Sequence, residues 1–160
     1  MDKYYKIILI LLISVAFPRC SEDLVIYRTD DAAVTPDEVV NDLNEPIVIR
    51  YNHIVLIKEE RLLIKFKNVT EGRCPIGVHC FWEGQAIGDF LLIKPNVGRG
   101  IASPIIRPGM RPDSDYQDFA DDALGYRLFL LELNPYPHID KPTNPKDYIA
   151  KLRVEKLPEY

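Results

Sequence analysis

Gly72-Arg73-Cys74-Pro75-Ile76-Gly77-Val78-His79-Cys80-Phe81-Trp82-Glu83-Gly84-Gln85-Ala86 holds two of the chain's three cysteines, its only tryptophan and three of its eight glycines. That density of covalent, aromatic and backbone constraints reads as a stapled corner between strands. Cys74 and Cys80 enclose five residues, among them Pro75 and Gly77, which bend the chain enough for the two sulfurs to meet as a disulfide. A ring this small contributes less than the ~3 kcal/mol of a roughly 15-residue loop, so it fixes a local shape more than it holds the fold. The sharper alternative is a metal site of Cys74, His79 and Cys80. It lacks the fourth donor zinc usually takes, and its spacing is not that of a finger.

Strand patterns lie on both sides of the corner. Upstream, Ile47 to Tyr51 and His53 to Ile57 are apolar runs separated by Asn52, and Lys58-Glu59-Glu60 is a polar turn. Leu62, Ile64 and Phe66 alternate with Lys65 and Lys67, which predicts one buried face and one wet face. Downstream, Ala86 to Lys94 reads as a strand, and Pro95 to Gly100 as its turn. Ile101 to Arg107 returns as an edge interrupted by Pro104. Tyr126 to Leu133 is apolar on both faces and predicts a central strand, and Tyr148 to Glu155 alternates cleanly. The expected fold is all-β: an antiparallel β-sandwich or small open barrel of six to seven strands over residues 46–160.

Ahead of this domain, Lys3 and Lys6 precede an apolar run, Ile7 to Phe17. Eleven residues of helix cover about 16 Å, short of the ~30 Å hydrocarbon core, and fit an export signal over residues 1–19. Ser14-Val15-Ala16 would permit cleavage near Phe17, giving a secreted soluble protein. Cleavage before Cys20 would give a lipidated cysteine, although Phe17-Pro18-Arg19 are larger than the residues that usually precede one. Pairing of Cys74 with Cys80 leaves Cys20 as an odd thiol, which lipidation explains. Residues 20–45 are acidic, with only Arg28 opposing eight carboxylates, and read as a tether; Thr35-Pro36-Asp37-Glu38 carries signals for a short helix to about Leu43.

Removing 19 of 160 residues leaves 141, one domain with a single core. Loss of Lys3, Lys6 and Arg19 against Asp2 moves the net charge from −4 to −6. With no basic stripe, that balance argues against nucleic acid as a partner.

Arg73-Cys74-Pro75, Gly77-Val78, Cys80 and Trp82-Glu83-Gly84-Gln85-Ala86, with Asn134-Pro135-Tyr136-Pro137 and Tyr148 later, resemble a family of small exported bacterial proteins, often read as lipoproteins. Its shared core is approximately Arg-Cys-Pro-x-Gly-Val-x-Cys-x-Trp-x-Gly-x-Ala, and the likeness covers roughly residues 46–156. The resemblance implies a β-rich periplasmic or surface domain, with no reaction and no catalytic residues attached.

Few residues suggest chemistry. Ser21, Ser103 and Ser114 sit in no nucleophile-elbow context, and His53, His79 and His138 lie far apart in sequence, so no catalytic set emerges and no cofactor is called for. Asp113, Asp115 and Asp118 alternate as calcium ligands would, but the turn glycine and closing glutamate of an EF-hand loop are missing. Trp82 is expected to pack over the disulfide or to cap the end of the core; exposed beside Tyr136, it would form a sugar- or peptide-stacking platform. The expected function is binding or structural, at the cell envelope. It is served by a lipid anchor on Cys20 and a surface of Ile76, Val78, Trp82 and Tyr136 for a protein or glycan partner. The alternatives are a protease inhibitor presenting the Cys74–Cys80 loop and a calcium-dependent binding module.

Overall fold

The computed structural model describes residues 27–29, 32–34, 36–40, 42, 43, 45–96, 99–102, 105–110 and 119–158. The strands are β1 (Tyr27–Thr29), β2 (Ala32–Val34), β3 (Glu38–Val40), β4 (Ile47–Arg50), β5 (Ile54–Ile57), β6 (Leu62–Glu71), β7 (Ala86–Asn96), β8 (Arg99–Ala102), β9 (Gly109–Met110), β10 (Asp121–Ala123), β11 (Tyr126–Asn134) and β12 (Ile149–Lys156). One sheet has the order β10-β11-β12-β4; the larger has β3-β5-β6-β7-β8, with β9 also on β7. The two sheets do not close into a barrel, and the fold is an all-β sandwich. Pairing is antiparallel except between β3 and β5.

Twelve strands among the described residues exceed the six or seven expected because several are two- or three-residue pieces, too short for a period-two pattern to register. The return after β7 comes in stages: β8, a bridge from Ile106 to Phe90, then β9.

Alternation builds the core. Ile47 and Ile49 of β4, Leu128 and Leu130 of β11, and Ala150, Leu152 and Val154 of β12 meet Val55 and Ile57 of β5, Leu62, Ile64 and Phe66 of β6, and Phe90 and Leu92 of β7 in one cluster. Phe66 stacks on Phe90 with ring centres 4.8 Å apart, and Tyr51 meets Phe66 edge-on at 5.9 Å. Burying each large apolar side chain contributes about 1.5–3 kcal/mol, which makes this cluster the main stabilising element.

Bulges break the alternation in both long strands that lead to the corner. In β6 the register passes from Phe66↔Phe90 to Asn68↔Asp89, leaving Lys67 as the extra residue. In β11 it passes from Leu130↔Leu152 to Glu132↔Lys151, leaving Leu131. Each extra residue reverses which parity faces inward. After Phe66 the inward residue is Val69, and after Leu130 it is Leu133.

Two expectations need correction. The outer face of the larger sheet is not uniformly wet: Leu56, Leu63 and Ile93 form a second buried cluster there, flanked by Ile54 and Leu91, and Leu63 is 0% exposed. Secondly, the segment read as acidic tether with a short helix at Thr35-Pro36-Asp37-Glu38 contributes strand β3. Asp37 N–H donates to Ile54 O at 2.8 Å, and Ile54 N–H donates to Asp37 Oδ2 at 2.6 Å, so a carboxylate of the expected first helical turn clasps a neighbouring strand instead. β1 lies against β8, which places the amino-terminal hairpin at the other edge of this sheet. The signal segment 1–19 and Cys20 lie outside the described residues.

The sandwich is clasped at the end away from the corner. Lys94 Nζ donates to Tyr126 Oη at 2.6 Å, Tyr126 Oη donates to Glu60 Oε2 at 2.6 Å, and Lys156 Nζ reaches Glu60 Oε2 at 3.2 Å. The hydroxyl of a tyrosine only 1% exposed thus joins the β5–β6 turn to β7 and β11, and Lys156 ties the same turn to β12 through Glu60. Tyr126→Phe should cost about 1–3 kcal/mol by urea unfolding, because Lys94 and Glu60 each lose a partner. An unchanged midpoint would show that water replaces the hydroxyl.

Candidate functional site

The corner forms where β6 runs out at Glu71 and the chain must return as β7. Cys74 and Cys80 are disulfide-bonded with Cα atoms 5.9 Å apart. With both sulfurs in that bond, neither is a thiolate donor, and among the described residues no group of three His, Cys, Asp or Glu side chains could hold a metal ion. Hydrogen bonds continue the ladder into the corner: Gly72 N–H to Gln85 O at 3.0 Å and Cys74 N–H to Glu83 O at 2.7 Å. Ile76 is fixed on both sides, its N–H donating to Pro137 O at 2.9 Å and its carbonyl accepting from Ile139 N–H at 3.1 Å. The ring therefore rests on the loop that follows the cis Asn134–Pro135 bond.

Beneath the ring is Arg73, 3% exposed. Its Nε donates to Glu71 Oε1 at 2.8 Å, its Nη2 pairs with Glu71 Oε2, its Nη1 donates to Leu133 O at 2.9 Å, and its guanidinium lies 4.5 Å from the centre of the Tyr136 ring. Tyr148 Oη donates to Glu71 Oε2 at 3.0 Å. The bulge at Lys67 makes this possible: without it Glu71 would share the outward parity of Lys65.

Burial works against the charged form of Glu71, but the hydrogen bonds and charge of Arg73, with Tyr148, outweigh it and hold the carboxyl below 4.5. Glu60 is also lowered, chiefly by the Tyr126 hydrogen bond, against the opposing effect of burial and with further help from Lys156 and Lys94. Because these folded values lie below the unfolded ones, the stability they contribute is fully present above about pH 4.5 and is lost as pH falls through the folded values. Tyr126 and Tyr148 are raised, chiefly by burial and then by the adjoining glutamates, so a second loss begins as pH rises past 10. A pH series of urea midpoints should show a plateau between these limits, and Glu71→Gln should flatten part of the acid limb. An acid limb unaltered by that variant would remove Glu71 from the account.

The outer surface of the corner is apolar. Phe81 is 105% exposed and Trp82 60%, and Ile76, Val78 and Ile139 are also exposed. Of the residues expected to form the binding surface, Ile76, Val78 and Trp82 are presented to solvent. Tyr136 is half-buried with Arg73 over its ring. Trp82 is 60% exposed, more open than a residue packed over the disulfide or capping the end of the core would be. Phe81 was missed although it stands between Cys80 and Trp82. Ile139 had no local signal, since only the Ile76 bridge brings it here. Asp113, Asp115 and Asp118 lie outside the described residues. His53 is exposed in the β4–β5 turn with Nδ1 3.0 Å from Tyr51 O, while His138 Nδ1 accepts from Asp140 N–H at 3.2 Å. No family model, curated protein or solved structure matches this chain.

Proposed function

We propose that the chain is an exported, non-enzymatic binding module of the cell envelope, anchored by lipid on Cys20, whose contact surface is the stapled corner. The observation that carries this reading is the exposure of Ile76, Val78, Phe81, Trp82 and Ile139 on a segment held by a disulfide and four ladder or loop hydrogen bonds. Leaving Phe81 and Trp82 in water costs free energy that a folded chain normally recovers by burial, and a rigid surface loses little entropy when a partner covers it. The disulfide fits an oxidising compartment, as the export signal requires.

As protease bait the ring is less well suited. Both backbone groups of Ile76 are already hydrogen-bonded within the protein, so a protease could not pair with them as it pairs with an extended substrate. Side-chain contact through the corner fits the geometry better.

The test has two readouts. Intact mass of the membrane fraction should show a chain beginning at an acylated Cys20, and an unmodified start near Phe17 would refute the anchor. Phe81→Ala and Trp82→Ala should abolish binding to cell-surface fractions while leaving the unfolding midpoint unchanged. Retained binding in both variants would refute the corner.

A further inference from the structure

Building on the corner as contact surface, we propose that what it contacts is the interfacial zone of a lipid bilayer, into which Phe81 and Trp82 insert from a rigid tip. The shape argues first. Phe81 is as open as a residue in an extended chain, so a flat protein surface could not enclose it, whereas lipid flows around a protrusion. Composition argues next. From Cys74 to Trp82 there is no Asp, Glu, Lys or Arg, the exposed charges of Glu83, Asp140 and Lys141 following Trp82 and Ile139 in the chain, and Trp and Phe are side chains that settle at the membrane–water boundary.

Area points the same way. The five exposed apolar side chains present on the order of 500 Å², given 150–250 Å² for each aromatic, against about 800 Å² per partner in a stable protein complex. Depth is limited by the backbone. Among the described residues, no backbone hydrogen bond takes up the N–H of His79, Cys80, Phe81 or Trp82, and such donors need water or headgroup oxygens. The tip therefore stops at the headgroup boundary, as interfacial segments do.

Reach permits it. Six residues separate Cys20 from Tyr27, a connection of at most about 25 Å. β1 lies against β8, which pairs with Ile93–Asn96, and β7 carries the chain from Ile93 back to the corner at Ala86 over about 23 Å. A chain held at Cys20 can thus lay its corner on the same membrane.

Trp82 is the only tryptophan, so its emission reports on the corner alone. The full chain, exported and purified from the membranes of the producing cells, is mixed with phosphatidylcholine vesicles carrying bromine on the acyl chains near the headgroup. Trp82 emission should shift to shorter wavelength and lose most of its intensity, and acrylamide should lose access. Phe81→Asp should abolish this, while Val48→Asp, at an exposed apolar site on β4, should not. Emission unaffected by the brominated lipid overturns the proposal. If Phe81→Asp then still eliminates cell-surface binding, the contact-surface reading stands with a protein or glycan as occupant. Intact mass reads the anchor separately: quenching in an unacylated chain supports insertion and overturns only lipidation at Cys20.

Discussion

Arg73→Met lowers the stability of the folded chain by about 3–5 kcal/mol, the usual cost of removing one partner from a buried, hydrogen-bonded ion pair. Methionine keeps most of the aliphatic stem, so the loss comes from what the guanidinium holds. Glu71 is left half-buried without its cation, and the carbonyl of Leu133 loses its donor. Tyr136 loses the group over its ring. Glu71→Gln combined with Arg73→Met should restore part of the loss, because a neutral amide does not suffer the desolvation that an unpaired carboxylate does. Urea unfolding of the three variants checks this. A single-variant loss below ~1 kcal/mol, or a double variant weaker than the sum of the two, would show that Arg73 is not the support of the corner.

Gly84→Ala should be at least as damaging, about 4 kcal/mol or more, with failure to fold as the extreme outcome. Gly84 has φ of +71°, and a β-carbon there would lie 1.9 Å from Gly72 O and 2.8 Å from Gly72 C. Both are backbone atoms that cannot rotate aside, and both belong to the ladder between residues 72–74 and 83–85. Gly125→Ala is the control. Its φ is +80° but nothing lies within 4 Å of the added carbon, so only the left-handed backbone penalty of about 1–2 kcal/mol is expected. Equal losses at the two positions would mean that the corner yields more readily than its hydrogen bonds imply.

The parts readable in advance were those governed by one local rule. Alternation in Leu62-Ile64-Phe66 and in Ala150-Leu152-Val154 reports the inner faces of β6 and β12 correctly, and the Cys74–Cys80 spacing anticipates the bond that forms. Failures occur where distant partners decide. Asp37 and Glu38 carry helix-start chemistry, yet Ile54 recruits Asp37 into a strand pair. Leu63 looks like the odd member of a wet face until Leu56 and Ile93 are placed beside it. Arg73 and Glu71 look like solvated charges two residues apart. Their burial depends on Leu133, Pro135 and Tyr148, some 60 to 77 residues downstream.

Lys67 and Leu131 set the pleat half a step out of phase in the last third of each strand that reaches the corner. The molecule thus has two interior registers: even-numbered positions of β6 and β11 fill the trunk, and odd-numbered ones furnish the neck. Excising Lys67 would leave trunk residues where they are while rotating Val69 and Glu71 to the outside. A one-codon deletion of this kind would unseat the head without loosening the body, so the two parts can vary separately in composition as long as the hitch between them keeps its extra residue.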